Sequence, residues 1–162
     1  MDASAQEQGL KQLSVDSPLG TLLLAASRHG LCAVDFDGEQ GHSDESPHLE
    51  QAASELEQYF SGSRREFETP LDLSSLSPFM ARVLGALRAV PFGETVSYGE
   101  LALASGSPLA ARAVGQAMGR NSLPVLIGCH RVLAAGNRLG GYGGGLERKL
   151  YLLELEGVRP AL

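Results

Sequence analysis

One short stretch of the chain brings together three side chains that could do chemistry. Residues 127–133 are Ile-Gly-Cys-His-Arg-Val-Leu, so a thiol, an imidazole and a guanidinium follow one another inside an apolar frame. A cysteine is mostly a neutral thiol at pH 7 unless an imidazolium, a cation or a helix N-terminus favours the thiolate, and such groups adjoin Cys129. The alternative is that Cys129 is a small hydrophobic residue of the core, as free cysteines often are.

Length and composition limit the classes of protein that this chain can be. With 162 residues, 43% of them hydrophobic, it can form one domain or two small ones with a packed core. The N-terminus is polar and acidic and lacks the basic and apolar regions of a signal peptide, so we expect a cytoplasmic protein without membrane association. In that compartment Cys32 and Cys129 are expected to be reduced.

Charge is divided unevenly along the chain. The formal net charge is −6, but residues 1–77 contain 4 basic and 14 acidic side chains, whereas residues 78–162 contain 9 basic and 5 acidic ones. The first part thus has a net charge of −10 and the second a net charge of +4, so only the second part is suited to binding a polyanion. The asymmetry is a hint of nucleic-acid contact, although a solvated acidic face explains most acidic segments.

The first part of the chain has the pattern of a small unit with both strands and a helix. Short apolar segments joined by tight turns predict an antiparallel meander, and apolar residues spaced three and four apart from Leu49 to Phe60 predict a helix packed on it. We expect strands at 11–16, 21–27 and 31–36, an edge strand at 65–69, and a domain of residues 1–73 followed by a linker at 74–77.

The second domain, residues 78–162, has helical periodicity in its first half. Ser77 and Pro78 suit the N-cap and the first position of its first helix. The spacing of Ser97 and Glu100 predicts a capping box, which would open a short second helix.

The next segment predicts a helix-turn-helix. Ser105-Gly106 would form the turn, and Ser107-Pro108 would begin the following helix. Arg112, Gln116 and Arg120 recur every four residues on the face opposite its apolar side chains. This polar face meets either DNA or, as on any surface helix, solvent.

The segments on either side of Cys129 suggest a pocket. Residues 123–127 are apolar and contain a proline, so we expect a buried extended segment that ends at the thiol. Residues 140–145 form a glycine-rich loop, which the close approach of another backbone or of a flat ligand would explain. A last helix at 146–156 places Glu156 at the negative end of the helix dipole, where a carboxylate is disfavoured unless a partner such as histidine is near.

Five motifs of the second domain occur together over about seventy residues. They are Pro-Phe-Gly-Glu-Thr-Val-Ser-Tyr at 91–98, Ala-Arg-Ala-Val-Gly at 111–115, Asn121 with Pro124, Cys-His-Arg-Val at 129–132, and Gly-Tyr at 141–142 with Leu-Leu-Glu-Leu-Glu-Gly at 152–157. In order and spacing they resemble the O6-alkylguanine-DNA alkyltransferases, which move alkyl groups from guanine in DNA to their own cysteine. The resemblance implies an α+β fold: a small antiparallel sheet with a packed helix, then a helical domain with a winged-helix-like helix-turn-helix.

The resemblance implies catalytic roles for five residues. Cys129 would accept the alkyl group, and its proton would pass through water to His130, which Glu156 would orient. Tyr98 would protonate the leaving guanine on a ring nitrogen and help rotate the nucleotide's phosphate, and Asn121 would hold the backbone around the thiol. The reaction would be a single turnover that repairs DNA directly.

The resemblance also implies how DNA is bound. The target nucleotide must rotate out of the duplex at a cost of a few kcal/mol, and Arg112 would fill the gap from the minor groove, with Gln116 and Arg120 on the same face. We therefore expect a monomer that binds double-stranded DNA with little sequence specificity and needs no metal or cofactor. The guanine pocket would be lined by Met118, Pro124, Val132, Tyr142 and Gly143.

The chain departs from the family pattern at several positions. Gly128 stands where the family usually has proline. The glycine would destabilise the fold by about 0.4–1 kcal/mol, weaken preorganisation of the thiol and slow the reaction. Gly143 has no hydroxyl where some members carry serine, and Leu84 replaces a common tryptophan. Cys32 and the histidines of the first domain lack the ligand spacing of the zinc site that some relatives have.

Other functions fit parts of this pattern. A non-enzymatic sensor of alkylated bases, which recruits other repair factors, would keep Tyr98 and Arg112 but not the thiol. A helix-turn-helix transcriptional regulator would not need the Cys-His-Glu set or the glycine loop, and a cysteine hydrolase would turn over. Whether Cys129 becomes alkylated, and whether the protein then turns over, therefore separates these alternatives.

Overall fold

The first of two compact units, which divide after Ser75, is built on a three-stranded antiparallel sheet. We describe it from a computed structural model that covers residues 9–161. Its strands are β1 (Lys11–Val15), β2 (Leu22–Ala26) and β3 (Leu31–Asp35), in that order. Helix α1 (Pro47–Phe60), capped by Ser46, packs on all three strands. The central strand β2 is buried along its whole length, so the core of this unit lies between β2 and α1.

The edge strand expected at residues 65–69 does not form. The backbone amides of Glu68 and Thr69 donate to Oε1 of Glu55 at 3.0 and 2.9 Å, and the Thr69 hydroxyl donates to the same oxygen at 2.6 Å. A buried carboxylate on α1 thus takes the donors that a strand ladder would have used. The chain meets the sheet just afterwards, where Leu71 forms an isolated bridge with Leu31.

The second unit is mainly helical, and the prediction of an α+β fold is confirmed. Two of its helices begin as the sequence predicts: the Ser77 hydroxyl accepts from the Met80 amide at 3.2 Å, and Ser97 and Glu100 form both bonds of a capping box. Its elements are α2 (Pro78–Arg88), β4 (Val96–Ser97), α3 (Tyr98–Ala104), α4 (Ala111–Gly119), a 3₁₀ turn (Cys129–Arg131), β5 (Val132–Leu133), a second 3₁₀ turn (Ala135–Asn137) and α5 (Leu146–Leu155).

Helix α4 begins later than the sequence predicts. Residues 107–110 form a turn, closed by a 2.9 Å bond from the Ala110 amide to the Ser107 carbonyl, with Pro108 at its second position. The first helical bond runs from Val114 to Ala110. Leu109, which lies in this turn, is 100% exposed.

A short parallel pairing of β4 with β5 positions the residues of interest. Val96 pairs with Val132, and Ser97 pairs with Leu133. The residue after β4 is Tyr98, and the residues before β5 form the Cys129–Arg131 turn, so the two segments are brought side by side. Among residues 9–161, no helix is both long enough and apolar enough to cross a membrane.

Candidate active site

Cys129 is the first residue of a 3₁₀ turn and is 5% exposed. The segment before it is held by Asn121, whose Nδ2 donates to the Ile127 carbonyl at 3.1 Å and whose Oδ1 accepts from the Leu123 amide at 3.0 Å. The side chains of Asn121 and Tyr142 also lie near the Cys129 sulfur and favour its thiolate form. The thiol therefore has polar neighbours and follows a backbone segment that Asn121 holds.

Burial and charge oppose each other at the thiol. Burial raises the pKa of Cys129 above its ordinary value, while the side chains of Asn121 and Tyr142 and the charge of Lys149 favour the thiolate and limit that rise. Cys129 therefore rests as a neutral thiol at pH 7. A nucleophilic role requires a base to take its proton as it reacts.

His130 and Glu156 form the pair that could provide this base. His130 Nε2 lies 2.7 Å from Glu156 Oε2, and both side chains are fully buried. Burial lowers the pKa of His130, against the opposing effect of Glu156, so the ring is neutral. We assign the proton to Nε2, which donates to the carboxylate, and this leaves Nδ1 as an acceptor. Nδ1 has no hydrogen-bond partner among the residues that the structure describes.

Glu156 is the C-cap of α5 and accepts hydrogen bonds from three directions. Besides His130, the guanidinium of Arg131 donates from Nε to Oε1 at 2.9 Å and from Nη2 to Oε2 at 3.0 Å, and the Gly93 amide donates to Oε1 at 3.2 Å. These donors offset the unfavourable position of a carboxylate at the end of a helix dipole. The partner of Glu156 is thus an arginine as well as a histidine.

Tyr98, the first residue of α3, lies where two glycine-containing segments leave room for its side chain. Its hydroxyl bonds with the backbone of Gly141, and a Cβ on Gly140 would come within 3.2 Å of the hydroxyl oxygen. A Cβ on Gly115 of α4 would lie 3.8 Å from its ring. Burial raises the pKa of the phenol, so Tyr98 carries its proton at pH 7.

Lys149 is a residue of this site that the sequence analysis does not identify. Its side chain is fully buried in the first half of α5, and its ammonium donates to the carbonyls of Val132 at 2.7 Å, Gly141 at 3.0 Å and Leu139. Burial lowers its pKa to about 8, so it remains mainly protonated at pH 7. It therefore ties β5 to the glycine-rich loop and places a positive charge near the thiol.

The three residues of the polar helical face lie apart from this buried cluster. Arg112 and Gln116 are exposed on α4, and Arg120 is exposed as its C-cap. Ala113, which follows Arg112, is also exposed. The surface of α4 thus combines two cationic groups with small residues.

The five residues expected to line a guanine pocket differ in burial. Met118, Pro124 and Val132 are buried, Tyr142 is partly buried, and Gly143 is exposed. Two of them lie close to neighbouring parts of the site. Tyr142 is near enough to the thiol to favour its thiolate, and a Cβ on Gly143 would lie 3.6 Å from the Gly119 carbonyl oxygen of α4. The pocket itself remains a prediction.

Cys32 lies in the first unit and has different surroundings. Its Sγ is 3.7 Å from the Gly30 carbonyl and 3.9 Å from an Asp72 carboxylate oxygen, and burial raises its pKa. Within residues 9–161, no three His, Cys, Asp or Glu side chains are arranged to hold a metal ion.

Comparison with known proteins places these features in a family. Residues 78–158 match 6-O-methylguanine DNA methyltransferase, DNA binding domain, and residues 10–73 match 6-O-methylguanine DNA methyltransferase, ribonuclease-like domain. The chain is 48% identical over 151 residues to the methylated-DNA–protein-cysteine methyltransferase of Mycobacterium leprae, covering 88% of this chain and 90% of the relative. It is 36% identical over 156 residues to the constitutive enzyme of that name from Bacillus subtilis, covering 90% and 94%.

Solved structures are similar over the same range. Mycobacterium tuberculosis OGT in complex with DNA has a TM-score of 0.80 and 42% identity, covering 88% of this chain and 90% of that chain. The O6-methylguanine-DNA methyltransferase of Pyrococcus kodakaraensis has a TM-score of 0.67 and 28% identity, covering 92% and 99%.

Proposed function

Because the chain belongs to the 6-O-methylguanine DNA methyltransferase family, whose members transfer alkyl groups from DNA to a protein cysteine, we propose that Cys129 is the acceptor. The sulfur attacks the alkyl carbon of O6-alkylguanine in line with the departing oxygen. An S–C bond forms as the C–O bond breaks, and the electron pair of that bond leaves with guanine. The product is a thioether that does not revert to a thiol, so each protein molecule acts once.

His130 is the base in this mechanism. Its neutral ring presents Nδ1 as an acceptor, and an intervening water carries the Cys129 proton to it. The imidazolium that forms is stabilised by Glu156, 2.7 Å from Nε2. Asn121, Tyr142 and Lys149 favour a negative charge on the sulfur, which offsets part of the cost of ionising a buried thiol.

Tyr98 is the acid that assists departure of the base. Its phenol is protonated at pH 7 because burial raises its pKa, and its hydroxyl is fixed by the backbone of Gly141. Donation of this proton to a ring nitrogen neutralises the charge that develops on guanine as the alkyl group leaves. Met118, Pro124, Val132, Tyr142 and Gly143 line the pocket that receives the base.

DNA is bound through α4, and the damaged nucleotide rotates out of the duplex. A base stacked in a duplex cannot reach a thiol that is 5% exposed, so rotation is required at a cost of a few kcal/mol. Arg112 enters from the minor groove and fills the gap, while Gln116 and Arg120 contact the backbone. The exposed Ala113 lets α4 approach the minor groove closely. Because this groove carries a degenerate base code, binding there has little sequence specificity, which suits a repair protein. The protein acts as a monomer.

The observation that carries this proposal is a buried cysteine next in sequence to a buried His130–Glu156 pair, in a segment that Asn121 holds through the Ile127 carbonyl. Incubation with a duplex that contains O6-methylguanine is expected to add one methyl group per protein molecule, measured by intact-protein mass spectrometry. Cys129→Ser should abolish the addition. Cys32→Ser is the matched control and should leave it unchanged, because Cys32 lies in the other unit.

The opposite outcome would identify one of the alternative functions. Tight binding of the modified duplex without any adduct would contradict the role of Cys129 as acceptor and favour a sensor of alkylated bases. Repeated turnover of one protein molecule would contradict the stoichiometric reaction.

A further inference from the structure

A small hairpin, residues 134–138, connects β5 to the glycine-rich loop. The Ala134 amide donates to the Arg138 carbonyl at 2.8 Å, and these two residues form an isolated antiparallel bridge. Gly136 and Asn137 reverse the chain with φ of 74° and 63°, in the left-handed region that glycine and asparagine adopt most readily. The four residues after Ala134 are all exposed, whereas β5 before them is buried. The hairpin therefore presents its tip to whatever molecule meets this surface.

The hairpin is held by two neighbouring parts of the same unit. At its tip, the Ala161 amide donates to the Asn137 carbonyl at 2.8 Å. At its base, the Lys149 ammonium donates to the Val132 carbonyl before the hairpin at 2.7 Å and to the Gly141 carbonyl after it at 3.0 Å. Its backbone is thus fixed relative to β5 and to the glycine-rich loop.

The hairpin lies close to Tyr98. A Cβ on Gly115 of α4 would lie 3.8 Å from Cε1 of Tyr98, and a Cβ on Gly140 would lie 3.4 Å from Cε2, so α4 and the segment after the hairpin follow opposite edges of the ring. Arg138 precedes Gly140 by two residues, which span at most about 7 Å of chain. Tyr98 therefore has α4, which carries Arg112, along one edge and the segment that begins at Arg138 along the other.

The guanidinium of Arg138 is available for binding. Within the part of the chain that the structure describes, this exposed side chain has no hydrogen bond or ion pair. Other arginines of the unit have partners in the protein: Arg82 lies over the Phe79 ring, and Arg148 donates to the Gly144 carbonyl at 3.2 Å. A guanidinium offers a planar pair of donors that matches two oxygens of a phosphate, and a backbone that is already fixed loses less freedom on binding.

We propose that Arg138 binds a backbone phosphate of the DNA strand that carries the damaged nucleotide, so that the hairpin is a second DNA contact beside α4. The inference rests on the proposed function, in which the duplex lies against α4 and the damaged base meets Tyr98. Arg112 fills the gap in the base stack, and Arg138 holds the strand next to that gap. Because a phosphate contact carries no base information, Arg138 strengthens binding to any sequence. It is a DNA-binding residue and not a catalytic one, since it does not touch the reacting atoms.

The test is a double-mutant cycle between the protein and the DNA, made in Cys129→Ser so that the bound duplex is not consumed. Each phosphate within about three nucleotides of O6-methylguanine, on either strand, is replaced in turn by a methylphosphonate, which removes its charge. Fluorescence anisotropy gives the affinity with Arg138 and with Arg138→Met. One replacement on the damaged strand is expected to weaken binding by about threefold to fivefold with Arg138 and to have little effect with Arg138→Met, because both changes remove the same contact.

A salt series gives a second measurement. Arg138→Met is expected to reduce the slope of log affinity against log salt concentration by about 0.9, the value for one phosphate contact, and Arg138→Lys should keep most of that slope. The matched control is Arg88→Met, which removes the same charge from an exposed position of the same unit. It should leave the effect of every methylphosphonate in place.

Methylphosphonate effects that are equal with Arg138 and with Arg138→Met at every position would overturn the inference. A coupled phosphate found only on the undamaged strand would also overturn it, as would a protein that binds no duplex. If the protein with Cys129 accepts no methyl group but one phosphate of the damaged strand is coupled to Arg138, the proposed alkyl transfer fails and the contact stands. If methyl transfer occurs and no phosphate is coupled, the contact alone fails.

Discussion

Cys129 and Lys149 are both buried, and burial acts on their pKa values in opposite directions. It raises the pKa of the thiol and lowers that of the ammonium to about 8, and the charges of the two groups partly oppose both shifts. The three carbonyl acceptors of Lys149 include no carboxylate, so its charge is not neutralised by a direct ion pair in the described contacts. The charge is therefore available to favour a thiolate.

Sequence patterns identify some of these residues and not others. Cys129 and Glu156 are conspicuous because a thiol beside an imidazole and a carboxylate at a helix C-terminus are unusual. Lys149 could have been found from its spacing, since it shares the buried face of α5 with Leu152, Leu153 and Glu156. The hydrogen bonds of Arg131 to Glu156 have no such signal, because they depend on the path of one side chain past the turn that carries it.

Lys149→Met is expected to change how stability depends on pH. A lysine whose pKa falls from 10.5 in the unfolded chain to about 8 in the fold binds fewer protons when folded, so its burial costs stability below pH 8. That cost is relieved as pH rises from about 8 to 10.5. The free energy of unfolding of the unmodified protein, measured with urea against Lys149→Met, should therefore rise over this window.

Lys149→Arg is the control for this prediction, because arginine keeps its charge throughout the window. The stability difference between Lys149→Arg and Lys149→Met should stay flat from pH 8 to 10.5. A rise of the same size with arginine would show that Lys149 is not the titrating group.

At the scale of elements, signals within a few residues predict starts and ends well. Ser77 and Ser97 cap their helices as the sequence predicts, and Gly157 ends α5 with a φ of 82°. Residues 65–69 were expected to pair with the sheet, but the Glu55 carboxylate takes their donors, and Pro108 starts a turn and not a helix. The strand does not form because a side chain distant in sequence takes its backbone donors. The helix starts later because residues 107–110 form a turn instead.

A substitution in α4 can separate the binding and rotation of the damaged nucleotide from the methyl-transfer step. Arg112→Ala is expected to slow methyl transfer from duplex DNA by about tenfold or more while leaving transfer from free O6-methylguanine nearly unchanged, because a free base needs no rotation out of a stack. Single-turnover rates on the two substrates, measured by mass spectrometry, give the ratio directly.

Arg88→Ala is the matched control, since it removes the same charge from an exposed position of the same unit. It should leave the ratio of the two rates unchanged. Equal losses on both substrates in Arg112→Ala would instead indicate a general effect on the active site.

At the scale of the whole molecule, the division of charge follows the division into units. The acidic side chains lie mostly before residue 76 and the basic excess after it, so the part with α4 is attractive to DNA and the other part is repulsive. The sequence predicts this asymmetry by counting alone. Its consequence for binding depends on salt, because the Debye length falls from about 30 Å at 0.01 M to about 8 Å at 0.15 M.

Neutralising exposed acidic residues of the first unit should therefore strengthen DNA binding only at low salt. Glu57, Glu66 and Glu68 are exposed, and we expect the triple substitution to Gln to raise affinity for a duplex by about twofold or more near 0.01 M salt, with the gain lost above about 0.3 M. Fluorescence anisotropy across a salt series measures the gain in affinity at low salt and its loss at high salt. The triple substitution to Asp keeps the charge and should leave the affinity unchanged. A gain in affinity with Gln that persists at high salt would contradict the prediction. It would mean that these side chains contact DNA directly, since screening removes long-range repulsion and not contact.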